Sequence, residues 1–285
     1  MLTNQPMGFY APATLVKDAQ RHGQHFHPVD IQCSAYECVI ETVGETRYVR
    51  LGFNYVKGLR AQAARAIVDA RGKQPFTSLR DLVRRVPQLN KKELATLAEL
   101  GALNALPEHQ ADRNRRGALW QTAAAARPVG ALLEAAVEDS ELSQLEVMTP
   151  RERVYADFEK SGLTIGQHPM SFCRSQLCEA GIVTSEQAKR QRNGAAIQVA
   201  GCVITRQRPG TAKGFVFLSL EDETGIVNVI VHPDLFERSK TACVSAPYLK
   251  IRGSIQVTWN VISLKAATIE PLALGQQTIR SHDFH

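Results

Sequence analysis

The chain has 285 residues, 44% of them hydrophobic and 22% charged, with a formal net charge of +6. This is the composition of a water-soluble globular protein of about two domains. No apolar run approaches the roughly 20 residues of a helical membrane span, and Met1 is not followed by a basic-then-apolar leader, so no membrane association and a cytoplasmic location are expected.

The charge is unevenly spread. Thr46 to Gly117 carries 15 Lys and Arg against 6 Asp and Glu, a balance of +9, whereas Glu134 to Glu159 carries 2 basic against 8 acidic residues, a balance of −6. A dense basic stretch fits a polyanionic partner, nucleic acid foremost, and it also fits a plain solvated face. Cys33 and Cys38, like Cys173 and Cys178, stand five apart, and Cys202 and Cys243 lie in apolar surroundings. None forms a C-x-x-C or neighbours a closely spaced His pair, so zinc is disfavoured and most are expected to be buried, reduced thiols.

Residues 1–45 hold an amphipathic helix from Pro12 to His22, ended by Gly23, and a strand entry at P-V-D-I. They carry too few apolar residues for a domain and read as the end of something larger. Residues 46–106 are helical, with two helix-turn-helix units. In the first, the turn at Lys57, Gly58 and Leu59 opens into a helix from Ala61 to Ala70, closed by Gly72. Gly58 permits a left-handed turn that brings main-chain N–H groups close to an anion, the helix offers its unpaired first N–H groups, and Lys57, Arg60 and Arg65 add charge. An ordinary connection between helices uses the same residues. In the second unit Ser78 caps a helix stopped by Pro87; the turn holds Asn90, Lys91 and Lys92, and a helix from Glu93 to Leu100 ends at Gly101. Asn90 stands where the first turn has glycine and tolerates the left-handed region less well.

Residues 107–190 read as a linker, A-A-A-A-R-P-V-G, an acidic stretch from Leu132 to Leu145 that is either helix or disordered, and a helix entered at T-P-R-E-R-V-Y-A-D-F-E with Pro150 in its first turn. Gln144 to Met148, Q-L-E-V-M, loosely resembles peptides that bind sliding clamps and lacks their aromatic end. From Ala195 the pattern alternates with period two. Strands are predicted at Ile197–Arg206, Phe215–Leu220, Ile226–Val231, Tyr248–Ile255 and Val261–Ala267, with a helix from Pro233 to Arg238 between the third and fourth. That is the order of a five-stranded oligonucleotide-binding (OB) barrel. Its candidates for single-strand contact are Arg206, Arg208, Lys213, Phe215, Phe217, Arg252 and Trp259. Phe215 and Phe217 share one face and fit the core equally well.

Catalytic constellations are missing: there is no D-x-D, phosphate-binding P-loop or G-x-S-x-G. Glu221, Asp222 and Glu223 read as a strand end and turn, and His168 as structural. No catalytic residue, metal ligand or cofactor is predicted in this chain.

Q-P-M-G-F-Y-A-P-A-T-L-V-K-D-A-Q-R-H-G, V-R-L-G-F-N-Y-V-K-G-L, G-K-Q-P-F-T-S-L-R-D-L, L-A-E-L-G-A-L-N-A-L, R-Q-R-P-G-T-A-K-G-F-V-F-L-S-L-E-D-E-T-G and the terminal S-H-D-F-H resemble the C-terminal part of bacterial error-prone C-family DNA polymerases, ImuC-type relatives of the polymerase III alpha subunit. The resemblance spans nearly the whole chain and is least distinctive between residues 107 and 145. It implies an α+β multidomain fragment: 1–45, the end of the polymerase fingers; 46–106, tandem helix-hairpin-helix motifs on duplex DNA; 107–190, a linker and helical connector; 195–275, an OB-fold on single-stranded template; 276–285, a tail. The palm aspartates and their Mg2+ would lie upstream of Met1. The parent enzyme would copy damaged DNA within a damage-induced mutasome, beside an inactive Y-family-like partner, a RecA-like accessory protein and the sliding clamp. A second reading makes the chain a non-catalytic platform for those partners.

Overall fold

The computed structural model describes residues 2–5, 11–107, 114–125, 145–259, 261–273 and 282–284. Its elements are α1 (Pro12–Arg21), β1 (His25–His27), β2 (Val39–Val43), β3 (Thr46–Arg50), α2 (Ala61–Lys73), α3 (Leu79–Arg85), α4 (Lys91–Glu99), α5 (Arg115–Ala125), α6 (Pro150–Ser161), α7 (Arg174–Glu179), α8 (Ser185–Lys189), β4 (Ala196–Gln207), β5 (Val216–Glu221), β6 (Ile226–Val231), α9 (Pro233–Arg238), α10 (Lys240–Ser245), β7 (Tyr248–Thr258), β8 (Val261–Pro271) and β9 (His282–Phe284). They fall into two compact units, one of Met1–Gln5 and His22–Gly166, the other of Pro6–Arg21 and Gln167–His285. No helix among the described residues is long and apolar enough to cross a membrane.

The first unit combines α2 to α6 with a three-stranded sheet of order β1-β3-β2. Apolar residues at helical spacing, Ile67 on α2, Leu82 on α3 and Leu97 on α4, are fully buried together with Leu103 and Leu106, and α4 packs on α5 and α6. The helix starts follow local chemistry. Ser78 Oγ accepts the Asp81 N–H at 3.1 Å, and Thr149 forms a capping box with Glu152 behind Pro150. Such caps stabilise a helix by about 1 kcal/mol each.

One carboxylate joins the two helix-turn-helix units. Glu93, 2% exposed, sits in the first turn of α4, where its Oε2 accepts the Asn90 N–H at 2.9 Å. Its Oε1 accepts both the backbone N–H and the Nε–H of Arg60, at 3.0 and 2.9 Å, at the entrance to α2. Burial pushes the Glu93 carboxyl up, but the bonds from Arg60 and Asn90 outweigh it and bring its pKa down to about 2.

The second unit is built on a barrel of order β5-β6-β8-β7-β4, closed by a β4–β5 pairing, with α9 and α10 between its third and fourth strands. Alternate residues Val216, Leu218 and Leu220 on β5, and Val227, Val229 and Val231 on β6, fill the core. A Cβ on Gly253 would lie 2.1 Å from the Lys265 carbonyl oxygen, so the strand coils only with glycine where β7 shifts register against β8. Asp222, with no exposed surface, organises the β5–β6 turn. It accepts the N–H groups of Thr224 at 2.8 Å, Gly225 at 3.0 Å and Ser185 at 2.7 Å, and pairs with Arg174 at 3.2 Å. Arg21 at the end of α1 pairs with Glu221 at 2.8 Å, which fixes α1 to this unit.

The α+β architecture matches the sequence reading, with corrections at several boundaries. The strand expected at P-V-D-I ends earlier, as β1; Val29 and Ile31 are buried in a loop whose Asp30 accepts the Gln32 N–H. A division at residue 45 cuts the β2–β3 hairpin, whose turn holds Gly44 at φ +61°. Gly72 does not close α2. The helix continues to Lys73, and Gln74, before Pro75, is forced extended (φ −162°, ψ 139°). The cysteines are not mostly buried: Cys202 and Cys243 are, Cys38 and Cys173 are half-buried, Cys33 and Cys178 are exposed, and all six thiols are free. Helices α5, α7, α8 and α10 and strands β2, β3 and β9 were not anticipated, so residues 46–50, read as part of a helical region, are strand. The Ala-rich linker and the acidic stretch to Gln144 lie, apart from Ala123 to Ala125 within α5, outside the described residues.

Two predictions follow from these buried carboxylates. Glu93→Gln is expected to destabilise the chain by about 2 kcal/mol at neutral pH. Because the folded pKa lies below the unfolded one, the difference from the parent chain in urea melts should be constant above about pH 5 and vanish as pH falls towards about 2. Asp222→Asn, which weakens the shared acceptor of the Ser185, Thr224 and Gly225 N–H groups and leaves Arg174 with Glu223 as its charge partner, should lower stability by about 3 kcal/mol in the same measurement.

Candidate nucleic-acid interface

The first turn is built as its sequence requires. The Leu59 N–H bonds the Val56 carbonyl at 3.2 Å, and Gly58 holds φ +78° at the third position of the turn, where a side chain is disfavoured. Gly58 is exposed and a Cβ there would meet nothing within 4 Å, so the open side of the turn is free for an anion to approach. Arg60, the N-cap of α2, gives no side-chain cap, in contrast to Ser78, Asn90 and Thr149 at the starts of α3, α4 and α6. The first N–H groups of α2 therefore lack a side-chain acceptor from the N-cap.

The basic residues around this turn divide into two groups. Lys57 is exposed and lies along the end of α6: its Nζ donates to the carbonyls of Phe158 at 2.9 Å and Glu159 at 3.1 Å, and its backbone N–H to Lys160 at 2.8 Å. Its charge sits at a helix C-terminus, whose carbonyls compete with a phosphate for it. Arg60 is held by Glu93. Asn90 is extended (φ −90°), not left-handed, and its side chain caps α4 through the Glu93 N–H. The second turn thus positions a helix start and not a glycine-type hairpin. Lys91 and Lys92 stand exposed in the first turn of that helix, beside the start of α2 through the Glu93 bridge. Arg65 is exposed, with its guanidinium 5.4 Å from the Tyr36 ring centroid.

In the barrel, Arg206 is structural: its Nε donates to the Cys243 carbonyl at 2.6 Å and its guanidinium to that of Ala246 at 2.5 Å, at the end of α10. Arg208 is exposed and lies over the Phe236 ring at 4.9 Å. Phe215 is half-buried, edge-on to His232 at 5.2 Å, one residue before β5. Phe217, 36% exposed, faces outward between core residues Val216 and Leu218. Ladder pairing sets Gln207, Phe217, Ile230, Lys265 and Ser254 in one row across the sheet. Arg252 is exposed, paired in register with Gln198 and Thr268. Sequence reasoning missed Lys265; the signal was its place between core residues Leu264 and Ala266.

Backbone strain picks out two of the predicted loop residues. Among the described residues, Lys213 and Trp259 are the non-glycine positions with positive φ, each at +50°. Lys213 is in the loop between β4 and β5, and Trp259, 93% exposed, is at the tip of the β7–β8 hairpin. Left-handed backbone at a bulky residue costs on the order of 1 kcal/mol. A Trp held outward at that cost leaves a ring face open for stacking.

Residues 23–114 match the family model described as a helix-hairpin-helix motif, and residues 197–272 the one described as an OB-fold nucleic acid binding domain. The chain is 40% identical over 294 aligned residues to an error-prone DNA polymerase of Anaeromyxobacter sp. (strain K), covering 100% of this chain and 25% of the relative. It is 41% identical over 280 residues to that of Bordetella parapertussis, covering 97% and 26%. Among solved structures, asparaginyl-tRNA synthetase from Pyrococcus horikoshii aligns with 22% identity over 31% of this chain and 22% of that one, at a TM-score of 0.27. A replication protein A heterotrimer bound to ssDNA aligns with 20% identity over 30% and 62%, at a TM-score of 0.23. The chain is homologous over its whole length to error-prone DNA polymerases, of whose length it spans about a quarter, and it carries a helix-hairpin-helix region and an OB-fold nucleic-acid-binding domain.

Proposed function

We propose that this chain is the DNA-gripping C-terminal part of an error-prone polymerase, holding duplex phosphates at the starts of α2 and α4 and single-stranded template on the outer face and loops of the barrel. The observation that carries the reading is the start of α2 behind Gly58 at φ +78°, where the N-cap Arg60 supplies no side-chain acceptor, with exposed Lys91 and Lys92 at the neighbouring helix start. Helix N-termini and flanking lysines bind backbone phosphates without regard to base sequence. The parent enzyme would add nucleotides opposite damaged template in the cytoplasm, with Mg2+ held in a palm outside this chain. Its mutasome partners would be an inactive Y-family-like protein and a RecA-like protein.

A second reading, a docking platform for those proteins or the sliding clamp, draws on Leu145 and Val147, which are 37% and 52% exposed within the clamp-like segment. Capture of clamp by the chain in the absence of DNA, abolished by Leu145→Ala with Val147→Ala, is the result that favours it.

For the DNA reading, affinity for primer-template DNA should fall steeply with salt. Lys91→Glu with Lys92→Glu should weaken binding about tenfold near physiological salt and reduce the slope of log affinity against log salt by about 2. Fluorescence anisotropy measures both, and an unchanged slope defeats the phosphate assignment. Trp259→Gly separates binding from stability: it should raise stability by about 0.5–1 kcal/mol by relieving the positive φ. The same change should weaken single-strand binding by about fivefold or more through the lost stacking surface.

A further inference from the structure

The barrel has one strand more than its closure needs. Strand β4 leaves β7 at Cys202, and its outer half continues with β5 on one side. On the other side lies β9, the last strand of the chain, running parallel with Thr205 opposite His282, Arg206 opposite Asp283 and Gln207 opposite Phe284. Without β9 that stretch of β4 would be an open edge. The stretch leads directly into the loop that carries Arg208 and Lys213, and Gln207 is the ladder partner of Phe217. Tail, loop base and outward aromatic thus share one hydrogen-bonded register, in the order β9, β4, β5.

We infer that the edge of β4 at Thr205–Gln207 is a strand-acceptor site whose ligand is the chain's own C-terminal strand, and that filling it holds the Arg208–Phe215 loop and Phe217 in place for single-stranded nucleic acid. The second half of this statement rests on the barrel reading above; the first half does not. The chemistry is β-augmentation: main-chain bonds from an extended peptide satisfy an edge, and a pairing only three residues long is readily exchanged. In a parallel ladder, alternate residues of a strand bond to a given neighbour, so of two adjacent proline substitutions one must remove an interstrand N–H.

Asp283→Pro and Phe284→Pro are made separately in the full chain, and a third chain ends at Ala273. At least one proline variant and the shortened chain should bind an oligothymidine about fivefold more weakly than the parent. A labelled peptide of residues 275–285 should be captured by the shortened chain and restore its oligonucleotide affinity, while the intact chain, its site filled in cis, takes up little. Oligonucleotide affinity unaltered in all three chains overturns the coupling, and failure of the shortened chain to capture the peptide overturns the acceptor site. If the parent chain itself binds no oligothymidine, the single-strand reading fails, and peptide capture alone decides the acceptor site.

Discussion

The first unit depends on the placement of a single buried carboxylate. Glu93 serves the start of its own helix through Asn90 and the start of α2 through Arg60, so two helices that share no sequence contiguity begin at a common anionic point. A buried acid without such partners would be protonated or would unfold the site; here the donors are numerous enough to keep it ionised. Its position limits where added negative charge can go. The Arg60 backbone N–H, Nε and Nη2 are engaged by Glu93 and Gln88, so an incoming phosphate on the proposed reading meets the turn at Gly58, the next N–H groups of α2, and Lys91 and Lys92.

The same economy runs through the basic residues. Several of the positive charges that make the first unit look polyanion-seeking are spent on carbonyls: Lys57 on the end of α6, Arg71 on Ile31 and Ser34, Arg85 on Gln74 and Ala70. A cation at a helix end is stabilised by the dipole and the unpaired carbonyls there, which compete with solvent and with ligands for it. Net charge along a sequence therefore overstates the charge available to a partner.

What the sequence revealed and what it hid follow from the range of the forces involved. Period-two alternation placed the five barrel strands because burial of one strand face is a local pattern, and Gly58 and Pro150 were legible because φ and ring geometry act within a turn. The fate of Lys57, Arg60 and Arg206 was not legible. Their partners lie 101, 33 and 37 residues away, at carbonyls and a carboxylate that no local window contains. Strand β9 was hidden for the same reason, since its pairing with β4 is long-range and its three residues carry no periodicity of their own. Lys265 lies on the fifth barrel strand, away from the strands and loops where such barrels chiefly contact single strands, although its outward place was fixed by its neighbours.

The uncapped start of α2 has a thermodynamic meaning as well as a geometric one. Every helix end is an equilibrium between ordered and frayed turns, and at α3, α4 and α6 a side chain biases it towards order. At α2 the Glu93 carboxylate takes the Arg60 N–H, and the N–H groups after it have no side-chain cap from Arg60. On the proposed reading, the DNA backbone is the missing cap, and the free energy of ordering that turn is part of the binding free energy. Linkage makes the relation reciprocal: nucleic acid that completes the helix also raises the temperature at which it melts.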